Sequence, residues 1–212
     1  MSVELVDVAE GLWLWRQPHP DWEEGNDWDP LVTSVAVASR GAGLLLDPLA
    51  PPPRERAVWE RIDALAPEAA VILKPDHVRD VDLFARWYGC RVLGPSLYWP
   101  GDVPQVEVEA IHPGSELPGG LLALYDGRGM QETPLYLPEQ RALVFADAMT
   151  APDGVLRVWS TPWHEARVLP ALRELLALDF EHVIVSHGEP VHGRPAFEAA
   201  LEREPWSDWG GA

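Results

Sequence analysis

Three short segments of the chain carry side chains able to bind a metal ion or move a proton. Val71-Ile-Leu-Lys-Pro-Asp-His-Val-Arg-Asp80 holds His77, Arg79 and Asp80, Leu143-Val-Phe-Ala-Asp-Ala-Met149 holds Asp147, and Val183-Ile-Val-Ser-His-Gly-Glu189 holds His187. In each, an aliphatic run comes first and the polar groups follow. Such runs read as buried strands, so the polar groups fall where strands end and loops begin, where a rigid scaffold presents side chains to a ligand. Imidazole and carboxylate are donor types of a zinc site. Any one of them alone is as well explained by bonds to nearby backbone amides. Their recurrence at three strand ends points to a shared cleft.

The elements that must position them follow the same punctuation. Leu12–Arg16 reads as a strand after the turn at Gly11, and 31–38 with 42–47 as a hairpin about Arg40-Gly41. Pro51-Pro-Pro53 leads into a helix with Val58, Ile62 and Leu65 on one face, followed by a strand at 70–74. A helix near 80–88 ends at Gly89, a residue suited to a left-handed cap. A strand at 91–93 and apolar runs at 121–125, 133–137, 142–146 and 155–159 come next. Thr161 and Pro162 start a helix whose apolar face is Val168, Leu169, Leu172, Leu175 and Leu176. A strand at 182–186, a helix near 195–203 and a polar, Trp-containing tail complete the chain. Strands come first and then alternate with helices, which favours two packed sheets with helices outside.

Composition narrows the function classes. A chain of 212 residues that is 47% hydrophobic buries roughly 70% of its unfolded surface, enough for a core without staples. One domain over 1–212 is expected. Cys90 is the only cysteine, which excludes an internal disulfide and a cysteine-based zinc site. The start of the chain does not read as a signal peptide, and no apolar run reaches the ~18 residues of a membrane span, so a cytoplasmic protein that meets no membrane is expected. A net charge of -18 speaks against nucleic acid, whose phosphates need clustered Lys and Arg. Lys74 is the only lysine among sixteen Lys and Arg residues.

The order and setting of His77, Asp80, Asp147 and His187 resemble the metallo-β-lactamase superfamily, over about residues 3 to 203. The resemblance implies an α/β (α+β) fold, a four-layer αββα sandwich of two mixed sheets flanked by helices. It sets Asp47, after Gly43-Leu-Leu-Leu46, at the aspartate that ends an early strand. Segment 71–80 takes the place of the His-x-His-x-Asp-His loop, Asp147 that of the aspartate bridging two metals, and His187 that of the last histidine ligand. The departures are severe. With His77 at the second histidine, Pro75 holds the first, Arg79 the aspartate and Asp80 the last histidine. The remaining histidine is missing from Asp126-Gly-Arg-Gly-Met-Gln-Glu-Thr133, where Arg128 stands near its place.

Proline cannot ligate, and a protonated arginine brings positive charge to the spot a cation would fill. The degenerate motif therefore supports two readings. In the first, Arg79 or Arg128 bridges to Asp147 or Asp80, no cofactor is needed, and the cleft binds a small ligand or a partner. In the second, His77, Asp80, Asp147 and His187 hold one zinc, iron or manganese ion. Water activated there attacks an ester, thioester or lactone-like carbonyl. Asp147 then orients the water, while Arg79 or Arg128 receives the developing oxyanion or an acidic group of the substrate.

Eleven tryptophans are the second unusual feature. Trp13 and Trp15 alternate on one strand and share a face, and Trp13, Trp59 and Trp87 read as core. Trp22 and Trp28 lie in the acidic loop 21–30, which is read as a lid over the cleft, an aromatic wall or a homodimer contact. Its acids lack the spacing of a calcium loop. Trp163 and His164 open the helix after Thr161 and are expected to line the cleft with Asp47 and Trp22. His112, His182 and His192 read as ordinary surface or packing residues, and Cys90 as a buried, inert thiol.

Overall fold

The computed structural model describes residues 3–26, 28–125 and 132–207. The first sheet opens as an antiparallel meander, β1 (Glu4–Ala9), β2 (Leu12–Pro18), β3 (Leu31–Ser39) and β4 (Ala42–Leu46). It continues with β5 (Ala69–Val71), β6 (Arg91–Gly94) and β7 (Val108–Ala110), each parallel to the strand before it. Parallel neighbours need crossovers, supplied by α1 (Arg56–Leu65) between β4 and β5 and α2 (Val81–Tyr88) between β5 and β6. Gly89 ends α2 with φ 66°, in the left-handed region that its missing Cβ permits.

The second sheet contains β8 (Leu122–Ala123), β9 (Leu135–Leu137) and β10 (Ala142–Val144). A separate ribbon pairs β11 (Met149–Thr150) with β12 (Arg157–Val158). Then come α3 (Leu169–Glu174), β13 (His182–Ile184), β14 (Val191–His192) and α4 (Arg194–Glu202). In space the second sheet runs β14-β13-β10-β9-β8. Between the sheets lie Leu12, Leu14, Val35, Leu44, Leu46 and Val71 from one side, against Leu135, Leu137, Val144 and Ile184 from the other. The outer face of the first sheet packs Trp13, Trp15 and Leu45 on Val58, Ile62 and Phe84 of α1 and α2. That of the second packs Leu143, Phe145 and Val183 on Leu169, Leu172 and Phe197 of α3 and α4. The result is the expected four-layer αββα sandwich. Among the described residues, no helix is long and apolar enough to cross a membrane.

Two local expectations are corrected, and one strand was not foreseen. Trp87 is not core: its side of α2 faces outward and it is 73% exposed, while Phe84 fills the buried face. The helix after Thr161 does not start as an α-helix. His164–Val168 forms a π turn, and α3 proper spans only Leu169–Glu174. Pro170 has no N–H to offer the preceding turn, so the usual ladder cannot run through it, although Val168, Leu169, Leu172 and Leu175 are buried as expected. The edge strand β1 has no signal of its own in the sequence. Its outward residues are half-buried or exposed, and pairing with β2 defines it.

Candidate metal centre

The C-terminal ends of the central strands of both sheets open on one cleft. β4 delivers Asp47, β5 the turn with Lys74 and His77, β10 delivers Asp147 and β13 His187. The sheets are tied at this edge by backbone bonds from Thr33 N–H to Ser186 O (2.9 Å) and from Thr133 N–H to Leu73 O (2.7 Å).

His77 is fixed from behind. Its Nδ1 lies 2.8 Å from Asp47 Oδ2, while Asp47 Oδ1 accepts the Leu73 N–H. That hold turns Nε2 toward Asp147 Oδ1, 3.4 Å away, and His187 Nε2 approaches the same oxygen at 3.5 Å. His77, Asp147 and His187 are all buried, and their facing donor atoms lie within 4.8 Å of one another. Among the described residues, Asp147 Oδ1 has no hydrogen-bond partner.

The other carboxylate oxygen is occupied. Lys74 Nζ sits 2.6 Å from Asp147 Oδ2 and 2.6 Å from Asp76 Oδ2. Burial works against the ammonium, but Asp147 and Asp76 outweigh it and raise its pKa. The same balance, burial opposed by Asp147 and Asp47, pushes His77 up to about 9. Burial also opposes ionisation of Asp147, yet His77 and Lys74 hold its carboxyl well below the usual range. Behind it, fully buried Glu132 accepts the backbone N–H groups of Ala146, Asp147 and Ala148 at 2.9, 2.9 and 2.6 Å. Burial and the charge of Asp147 push Glu132 up to about 7 against those three donors. The sequence reading missed both roles. Lys74 had one signal, its singularity among arginines. Glu132 had none, because its partners lie fourteen to sixteen residues away in the turn after β10.

Not every expected site residue stands where the motif spacing set it. Arg79 lines the cleft but bridges neither Asp147 nor Asp80. Its guanidinium donates to Thr33 O, Asp47 O and Ser186 Oγ at 2.6, 2.7 and 2.8 Å. Asp80 lies outside the His77–Asp147–His187 cluster. Arg79 has φ 47°, and this left-handed kink turns the chain so that Asp80 Oδ2 accepts the Ala50 N–H at 2.7 Å. Trp163 is 45% exposed with the Arg167 guanidinium over its ring, and buried His164 sits in the π turn. Neither lines the cleft. Trp22 stands behind the wall, its indole N–H donating to Trp28 O. Arg128 lies outside the described residues.

The cleft has a volume of about 350 Å³ and is bounded by His19, Trp28, Val32, Lys74, Asp76, Arg79, Trp159 and the cluster itself. Trp28 and Trp159 flank His187, with ring centroids 5.4 and 6.2 Å from its own. Beyond them a second compartment of about 200 Å³ lies between Trp28, Trp159, Trp206, Thr150 and Asp29. The tail reaches it because Trp206 N–H donates to Val158 O and Ser160 N–H to Trp206 O, extending β12.

No family model and no curated protein matches the chain. Solved structures match nearly all of it. DIM-1 metallo-β-lactamase exposed to ceftazidime superposes with a TM-score of 0.71 at 13% identity, over 95% of this chain and 97% of that one. A metallo-β-lactamase from Erythrobacter litoralis with β-mercaptoethanol in its active site gives 0.70 at 17% identity, over 95% of each chain. The FIM-1 enzyme from Pseudomonas aeruginosa in its mono-zinc form gives 0.66 at 16%, over 95% of this chain and 94% of that one. The chain has the metallo-β-lactamase fold.

Proposed function

We propose that this protein is a hydrolase of the metallo-β-lactamase fold built for one metal ion, held by His77, Asp147 and His187. The observation that carries the reading is Asp147 Oδ1, buried and without a hydrogen-bond partner among the described residues, with two imidazole Nε2 atoms 3.4 and 3.5 Å away. Bonds of zinc to nitrogen and oxygen set neighbouring tetrahedral donors roughly 3.3–3.5 Å apart, which the two distances from Asp147 Oδ1 match, and the two imidazole donors lie within 4.8 Å of each other. Asp47 on the far nitrogen of His77 is the outer carboxylate that orients a ligating imidazole and raises its basicity. Asp80 is not a ligand in this reading. FIM-1 in its mono-zinc form is one protein of this fold with a single ion.

Bound there, a zinc, iron or manganese ion supplies polarisation of a carbonyl and a water nucleophile at neutral pH. The residues of the chain do the rest. Lys74 neutralises the second oxygen of Asp147, leaving the first to ligate. Trp28 and Trp159 shield His187 from water. Among the described residues, the wall of the compartment beyond them has three tryptophan rings, one carboxylate and no Lys or Arg, so it favours an uncharged apolar group and disfavours an anionic one. The substrate class is an ester, thioester or lactone with an aromatic or alkyl substituent.

Metal content tests this, by elemental mass spectrometry on protein purified without chelator or histidine tag. About one ion per chain, lost in His187→Ala and Asp147→Ala, is the expected result. No metal in the wild type after incubation with excess zinc sinks it. A second reading, a metal-free cleft that binds a small ligand, draws on Lys74 and protonated His77, which neutralise Asp147 unaided. It predicts that zinc-free outcome together with ligand binding that both substitutions weaken.

A further inference from the structure

We infer that Lys74 is a tethered cation standing where a second metal would bind, and that it limits how strongly the cleft attracts ions. This rests on the one-metal reading for what the cluster holds, but the role of the lysine is judged separately. Its ammonium is bracketed by two carboxylate oxygens from different elements, Asp76 Oδ2 in its own turn and Asp147 Oδ2 after β10, each 2.6 Å away. A divalent ion shared by two carboxylates would take the same position. The side chain is only 10% exposed, so water screens its charge poorly. It is also the only lysine in the chain, whereas arginines carry the described ion pairs elsewhere. A compact ammonium suits a space between two oxygens, and a planar guanidinium does not. Because Lys74 and the cluster share one carboxylate, its positive charge lies on the other oxygen of the group that would ligate the ion. That charge repels any cation arriving at Oδ1.

The test is zinc affinity, measured by competition with a chromogenic chelator, in wild type, Lys74→Met and Lys74→Gln. Removing the charge is expected to tighten zinc binding by at least about tenfold in both variants. A second zinc in either is the same result in stronger form. Melting curves show which variants fold, and either neutral one suffices. Neutral variants within threefold of the wild type overturn the inference, including the case where none binds zinc. The wild-type value judges the one-metal reading independently. Zinc bound by Lys74→Met but not by the wild type would end that reading while supporting the role of the lysine.

Discussion

At the scale of single residues, the site depends on buried groups that never face the cleft. Glu132 satisfies three backbone donors in the turn that carries Asp147. Glu132→Ala leaves those donors buried and unpaired, at about 1–3 kcal/mol each. Urea unfolding is expected to show a loss of about 3 kcal/mol or more, with a smaller loss in Glu132→Gln. A loss below about 1 kcal/mol would mean water replaces the carboxylate. His77 gives a pH dependence. In chelator-treated protein its folded pKa is raised to about 9 from 6.5 by Asp147 and Asp47, against burial. The folded state holds that proton more tightly than the unfolded chain. This contribution is therefore complete below pH 6.5 and is lost as pH rises through about 9. Melting temperature should fall across that window in the wild type and fall less in His77→Gln. An equal slope in both would assign the effect to another group. Zinc must displace the same proton, so its affinity should rise with pH over that range.

At the scale of elements, Arg79 ties together the ends of β3 and β4 and the loop after β13 through Thr33 O, Asp47 O and Ser186 Oγ. Those bonds need the forked guanidinium, and one ammonium cannot reach three acceptors in the same geometry. Arg79→Lys is expected to cost about 2–3 kcal/mol in unfolding free energy and to weaken zinc binding by loosening Asp47 and His77. Wild-type stability in that variant would show that the charge alone suffices. The same contrast explains what the sequence disclosed. Asp147 and His187 were legible because each follows a short buried strand, and β10 and β13 place them side by side. The hairpin of β3 and β4 and the stop of α2 at Gly89 were legible from turn chemistry. Asp80 as a ligand and Arg79 as a bridge to a carboxylate were misassigned because spacing along a motif assumes a backbone path, and the left-handed kink at Arg79 changes it. Trp87 was misassigned because one helix turn past Phe84 still lies outside the buried stripe. Glu132 and Lys74 act through partners fixed only when the two sheets close.

At the scale of the molecule, the cleft is assembled from distant parts of the chain. Trp28 comes from the loop after β2, Trp159 from the end of β12 and Trp206 from the C-terminal tail, and all three bound the compartment beside His187. The tail is held there by backbone bonds, so replacing the Trp206 side chain should leave its path intact. A half-buried indole at a ligand contributes on the order of 1–2 kcal/mol of apolar contact, worth about tenfold in affinity. Trp206→Ala is therefore expected to raise KM for a phenyl ester about tenfold. KM for the methyl ester of the same acid should change little, because a methyl group does not reach the second compartment. Zinc content and melting temperature should stay close to wild type, since Trp206 touches neither the ligand cluster nor the inter-sheet core. Equal effects on both esters would mean that the tail shapes the whole cleft. Unchanged KM for both would remove the compartment from the substrate path. The chain's charge of -18 bears on the same comparison. A phenyl ester bearing a trimethylammonium group should be preferred over its carboxylate counterpart, and that preference should shrink as added salt screens the field.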